Sequence, residues 1–231
     1  MSVGQRRIVS IKNLNHTIMK NTSWIILAFT VLSGACSNAI KEESQAAAIA
    51  TEPTKTKHLF MDVHNLEPGK VTFEAVAGAH QKDLATQGKY DVSFIKYWVD
   101  ETKGKVYCLA EAEDSASVYR THKEAHGLVP DLVSPVTDGP EANISNAQNL
   151  YFDVHHLGAG KVTAQAVADA HAKDLAVQKK YDVNFINYWV DEKSGVVVCL
   201  SEAHDPQAII ETHTEAHGLV PDEVHKVKQG E

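Results

Sequence analysis

Three cysteines in 231 residues, Cys36, Cys108 and Cys199, are too few for the disulfide framework of a small secreted domain. Long hydrophobic runs are missing too. The best of them, from Trp24 to Leu32, falls well short of the ~20 residues a membrane-spanning helix needs. Basic charge is scarce and unevenly placed. Arg6, Arg7, Lys12 and Lys20 lie within residues 1–35, which hold no Asp or Glu, so the formal charge of −8 becomes −8 − 4 = −12 for the rest of the chain. That balance excludes the basic footprint nucleic acid requires and favours cations or basic partners. Phosphate loops, dinucleotide fingerprints and activated-nucleophile motifs are also absent.

What is present begins with a basic stretch, an apolar run and the small residues Ser33-Gly34-Ala35 before Cys36. This order reads as a signal peptide over residues 1–35, with Met19-Lys20 opening a compact signal by itself as an alternative start. Leu32-Ser33-Gly34-Ala35-Cys36 resembles a bacterial lipoprotein box, although Ser33 stands where that pattern favours Leu. The expectation is a lipid on Cys36 and a protein anchored to a membrane of the cell envelope, periplasmic or surface-facing. Without the lipid it is secreted. Residues 36–57, rich in Ala, Glu, Ser and Thr, read as a flexible tether.

The remainder is a tandem duplication. Leu59-Phe60-Met61-Asp62-Val63-His64 returns as Leu150-Tyr151-Phe152-Asp153-Val154-His155, and the offset, 155 − 64 = 91, holds to Val133 and Val224. Roughly two-thirds of aligned positions are identical, and a unit of this length is a small domain rather than a solenoid repeat. Within one copy, Leu59, Met61 and Val63 alternate with Phe60, Asp62 and His64 as in a strand with unlike faces. Thr72 caps a helix to about Gln87, and Val92 to Asp100 turns at Lys103-Gly104 into Val106 to Ala112 as a hairpin. Asp114 and Asp205 cap second helices that end at Gly127 and Gly218, and a last strand runs from about Asp131 to Val136. The order predicts an α+β fold of two ferredoxin-like βαββαβ repeats, residues 58–136 and 150–228, joined by a linker at 137–149. One sheet face of each repeat is left open, so the two are expected to pack sheet to sheet as an intrachain pseudo-dimer, with higher oligomers left open.

Histidines stand out, five of them between His58 and His126. His122 and His126, like His213 and His217, are four residues apart and share one helical face, so each pair can supply two nitrogens to one metal ion. Glu124 and Glu215 lie about 200° round the helix from the first His, which excludes the zinc-protease arrangement. A helix-surface pair is the competing reading. His80 and Asp83, with His171 and Asp174, share faces of the first helices, and His64 and His155 share strand faces with Asp62 and Asp153. Cys108 and Cys199, equivalent strand positions, read as one small buried residue seen twice, with a disulfide between them a lesser alternative.

The run from Lys89 through Tyr97-Trp98-Val99-Asp100, then Val106-Tyr107-Cys108-Leu109, then His122-Lys123-Glu124-Ala125-His126-Gly127-Leu128, resembles a family of small bacterial proteins once catalogued as a domain of unknown function. The resemblance covers about 59–136 and again 150–227, and implies a ferredoxin-like fold, a dimeric assembly and nickel binding. Fusion of two copies and a lipoprotein signal are departures from that family. The expected function is an envelope-anchored binder of a divalent transition metal, nickel foremost, with zinc or copper equally suited to imidazole. The expected ligands are His64, His80, Asp83, His122, His126, His155, His171, Asp174, His213 and His217, with no catalytic residue and no nucleic-acid partner. Two alternatives stand beside it: a small-molecule oxidase or isomerase using a sheet-lined cavity between the repeats, with Asp62, His64 and Glu111 as acid and base groups, and a non-catalytic interaction module.

Overall fold

The computed structural model of the chain describes residues 56–231. The signal segment, Cys36 and nearly all of the tether lie outside the described residues. The first repeat runs β1 (His58–Asn65), α1 (Phe73–Thr86), β2 (Ser93–Asp100), β3 (Lys105–Ala112), α2 (Ser115–Ala125) and β4 (Leu132–Pro135). A short strand β5 (Thr137–Asp138) follows. The second repeat runs β6 (Leu150–His156), α3 (Ala164–Val177), β7 (Asn184–Asp191), β8 (Val196–Glu202), α4 (Pro206–Ala216) and β9 (Glu223–Gly230). Among the described residues no helix is long and apolar enough to cross a membrane.

The helix starts follow from the cap chemistry read in the sequence. Thr72 and Thr163 accept from the amides of Ala75 and Ala166, and Asp114 and Asp205 from those of Ser117 and Ala208, each satisfying an otherwise unpaired first-turn N–H. Gly127 and Gly218 take the left-handed conformation, φ +82° and +80°, just past α2 and α4. An L side chain resists that conformation, so the helices stop there.

All strand pairs are antiparallel, and the sheet order is β4-β1-β3-β2-β9-β6-β8-β7-β5. Each repeat contributes the 4-1-3-2 order of a split βαβ unit. The repeats join edge to edge as well as face to face. Lys228 to Gly230 of β9 pair with Val99 to Tyr97 of β2, and at the repeat-equivalent place Thr137 and Asp138 pair with Val190 and Trp189 of β7. Because β4 and β5 are consecutive in the chain, the two ends of the sheet are tied together and the strands form a closed barrel. The strand that is unbroken in β9 is interrupted here at Val136, just after Pro135.

The barrel interior is filled. Met61, Trp98, Tyr107 and Leu109 of the first repeat meet Leu150, Phe152, Trp189 and Leu200 of the second in one apolar cluster, with Trp98 and Trp189 ring centroids 5.0 Å apart. This corrects the expectation of a sheet-lined cavity for an enzyme. An eight-stranded barrel is just wide enough for side chains to fill, and these are large. Phe60 joins the separate core under the helices, and Asp62 and His64 share its face of β1, turned away from the barrel interior, while Glu111 is exposed. Residues 137–149 connect the repeats and carry structure of their own. Glu202 accepts from the amides of Ser145 and Asn146, and Ala142 N–H bonds Ile186 O at 2.7 Å. Cys108 and Cys199 are buried, free, and packed in the cores of different repeats.

Candidate metal centre

On β1, Asp62 and His64 face the helices because the strand puts alternate residues on one face. On β3, Cys108 is the register partner of Asp62. Helix α1 buries only His80 and Asp83, and α2 buries His122 on the same side. The unlike face of the strand and the polar stripes of both helices therefore meet beneath the helix layer. None of these groups is a surface pair: Asp62 is 0 %, His122 1 % and Asp83 3 % exposed.

His122 is the hub. Its Nε2 lies 3.2 Å from Asp62 Oδ2, and its Nδ1 lies 3.1 Å from Asp83 Oδ1 and 3.2 Å from His126 Nε2. His126 Nε2 is 3.2 Å from Asp83 Oδ2, and His64 Nε2 is 3.3 Å from Asp62 Oδ1. The second repeat reproduces the arrangement. His213 Nδ1 is 3.0 Å from Asp174 Oδ1 and 3.2 Å from His217 Nε2, and His217 Nε2 is 3.1 Å from Asp174 Oδ1. His213 Nε2 stands 3.3 Å and His155 Nε2 3.1 Å from Asp153 Oδ1.

Protons occupy the centre of each cluster. Burial opposes charge on His122, yet hydrogen bonds to Asp62 and Asp83 outweigh it and raise its pKa to about 9. Against the same burial, Asp153 and Asp174 raise His213 to about 10. Burial pushes the carboxylates up, but imidazole hydrogen bonds reverse this, holding Asp62 and Asp83 below the ordinary range and Asp153 at about 2. The amides of Leu128 and Leu219 donate to Nδ1 of His126 and His217 at 3.2 and 3.1 Å, so Nδ1 is the accepting nitrogen and Nε2 is the one turned toward the cluster. Burial raises the Cys108 and Cys199 thiols and lowers His80 and His171.

These donors fit a metal ion. Ligands at ~2.0–2.1 Å from a metal are about 2.9 Å apart in cis-octahedral and about 3.4 Å apart in tetrahedral geometry. The Asp83, His122 and His126 atoms fall between those limits, as do those of Asp174, His213 and His217. A second group behind each brings together Asp62, His64, Cys108 and His122, or Asp153, His155 and Cys199. Asp62 Oδ1 and Asp83 Oδ1 are buried, and what they face is imidazole nitrogen, His64 Nε2 at 3.3 Å and His122 Nδ1 at 3.1 Å, as carboxylates placed for a cation would.

Eight of the ten expected residues are thus drawn into donor groups. His80 and His171 are not. They are buried on α1 and α3 against Tyr97 and Tyr188, ring centroids 4.7 and 4.9 Å away, and line the cavities beside the clusters. The ten expected residues do not include Asp62, Asp153, Cys108 and Cys199, which the structure places in these groups. For the aspartates the signal was a carboxylate within an apolar strand, on the face it shares with a histidine. Glu124 is held away from the site by Lys89 at 2.6 Å and Tyr90 at 2.6 Å.

Fold and site together define a tandem ferredoxin-like protein, closed into one barrel, with a buried histidine–aspartate cluster of metal-ligand composition in each repeat. The chain belongs to the SCO4226-like family, described as nickel responsive protein SCO4226-like, whose model matches residues 60–136 and again 151–227. The crystal structure of SCO4226 from Streptomyces coelicolor A3(2) is 38% identical, covering 33% of this chain and 93% of that one, with a TM-score of 0.32. Chlorite dismutase from Candidatus Nitrospira defluvii, solved in complex with imidazole, is 7% identical over 75% of this chain and 89% of its own, with a TM-score of 0.41. Among curated proteins no relative matches.

Proposed function

We propose that the chain is an envelope-anchored binding protein for a divalent transition metal, nickel foremost, with one site in each repeat. The observation that carries this is the triangle of one carboxylate and two imidazole nitrogens at 3.0–3.2 Å, built once from Asp83, His122 and His126 and again from Asp174, His213 and His217. The family description favours nickel over zinc and copper, which imidazole serves equally. Asp62 and Asp153 would orient the central imidazoles through their far nitrogens, as carboxylates behind metal-bound histidines do.

Calorimetric titration of tag-free protein with nickel tests the reading. Two ions per chain are expected. His122→Ala with His126→Ala should remove one of them, and His213→Ala with His217→Ala the other. Unchanged stoichiometry and affinity in both double variants would exclude the helix pairs. Anchoring is proposed from Cys36 and the segment before it. Cys36→Ser should move the protein from the membrane fraction to the soluble fraction, and retention there would count against a lipid on this cysteine.

A further inference from the structure

Beside each histidine–aspartate cluster lies a cavity, and the two cavities share their walls. Every residue lining the first has the same residue type 91 positions on, from His64 and His155 to Leu128 and Leu219. Over the repeats as a whole about one aligned position in three differs, so the apolar walls have been kept as strictly as the ligands. An ion needs donors and has no use for a chamber of Leu, Val and Ala.

The cavities differ in size and in one residue. That of the second repeat measures about 310 Å³ and that of the first about 90 Å³. Lys161 lines the larger one, whereas its equivalent Lys70 does not line the smaller. The difference in lining goes with the loop after the first strand of each repeat. Gly158 stands where the first repeat has Glu67, and the Lys161 side chain lies across it, its Cδ 3.3 Å and Nζ 3.7 Å from where a Cβ would sit. Lys161 takes part in no ion pair among the described residues. The second cavity is therefore lined by a cation, by apolar walls from Leu157, Val162, Val167 and Val197, and by Asp174, His213 and His217 of the cluster.

We propose that this cavity binds a small carboxylic acid with an apolar body, its carboxylate held between Lys161 and the metal ion and its body against the valine and leucine walls. For the ion the proposal rests on the metal-binding reading above; for Lys161 and the walls it does not. Without an ion the lining presents the Asp174 carboxylate, which repels an anion, so uptake is expected to tighten on metal loading. The volume is ample for one ring, since an apolar cavity of ~150 Å³ takes benzene.

Phenylacetate is a suitable probe. The full chain is titrated with nickel alone and then, nickel-loaded and metal-free, with phenylacetate by calorimetry. One phenylacetate per chain is expected, bound more tightly by the nickel-loaded protein. Lys161→Ala should weaken it at least tenfold and Lys161→Arg should restore most of the affinity, while Lys70→Ala leaves it within twofold. Nickel binding should be unchanged in all three variants. Absence of saturable uptake, or Lys161→Ala binding as well as the parent, would overturn the proposal. Nickel uptake without phenylacetate uptake defeats the cavity and leaves the metal reading intact. Lys161-dependent phenylacetate uptake without nickel binding does the reverse.

Discussion

At the scale of single residues, His122 and His213 do what a buried imidazole seldom does: each carries a proton at neutral pH because two aspartates share it. With a folded pKa of about 9, His122 adds stability to the metal-free protein that is fully present below its unfolded value of 6.5 and is lost as pH rises through about 9; for His213 the loss extends to about 10. An ion must displace that proton, so the two effects oppose each other. Between pH 6.5 and 9 the metal-free protein should therefore become less stable while nickel affinity at each site rises about tenfold per pH unit. Thermal melts with and without nickel across this range measure both, and a nickel-induced shift that shrinks as pH rises would contradict the displaced proton. Legibility at this scale was uneven. The i, i+4 histidines were readable because helical spacing alone puts them on one face. The burial of Asp62 and its pairing with Cys108 were not, because they depend on β1 lying between β3 and β4 with both helices above it.

Among the elements, α2 shows how local chemistry aims a ligand. The Asp114 cap fixes where the helix starts, and Gly127 fixes where it ends, with His126 as the residue between the last helical turn and the left-handed glycine. The amides of His126 and Gly127 both bond His122 O, at 3.1 and 3.0 Å, so the turn is closed onto the hub residue. These caps were legible in the sequence, since Asp and Gly act through their own backbone neighbours. Less legible was the amide of Leu128 donating to His126 Nδ1. A neutral His126 that binds metal through Nε2 must carry its proton on Nδ1, which displaces that bond, so metal loading should be felt in residues 127 and 128. Gly127→Ala would force a Cβ into a left-handed conformation at a cost of about 1–2 kcal/mol. We expect that loss in urea unfolding, together with weaker nickel binding at the first site and none of it at the second. Equal weakening at both sites would mean the turn acts through global stability alone.

The whole molecule adds what neither repeat contains, which is the closure. The sequence announced two domains and an open sheet face, and the alternation of Leu59, Met61 and Val63 was enough to expect face-to-face packing. It did not reveal that the segment after Val136 would leave one repeat to become an edge strand of the other, because Thr137 and Asp138 carry no apolar alternation and were read with the linker. The two seams are equivalent by the repeat but not identical. At one, Trp98 Nε1 donates to Gln229 Oε1 at 2.8 Å; at the other, Asp138 stands at the Gln229 position and Trp189 Nε1 has no hydrogen-bond partner among the described residues. At the Gln229 seam Gly230 lies beneath the Tyr97 ring, so close that a Cβ there would enter it, and Tyr97 in turn packs on His80 beside the first cluster. The carboxyl end of the second repeat thus supports the metal pocket of the first. Deleting residues 228–231 should remove this support while the seam at β5 keeps the barrel together. The Trp98 N–H loses its acceptor and three residues of pairing are lost, for a destabilisation of at least about 2 kcal/mol. Tryptophan emission should shift to the red as Trp98 is wetted, and nickel binding should weaken at the first site while His213 and His217 bind as before. If the truncated chain binds nickel at both sites with parent affinity, the pocket of the first repeat is complete without its neighbour and the fusion of the two copies serves the barrel alone.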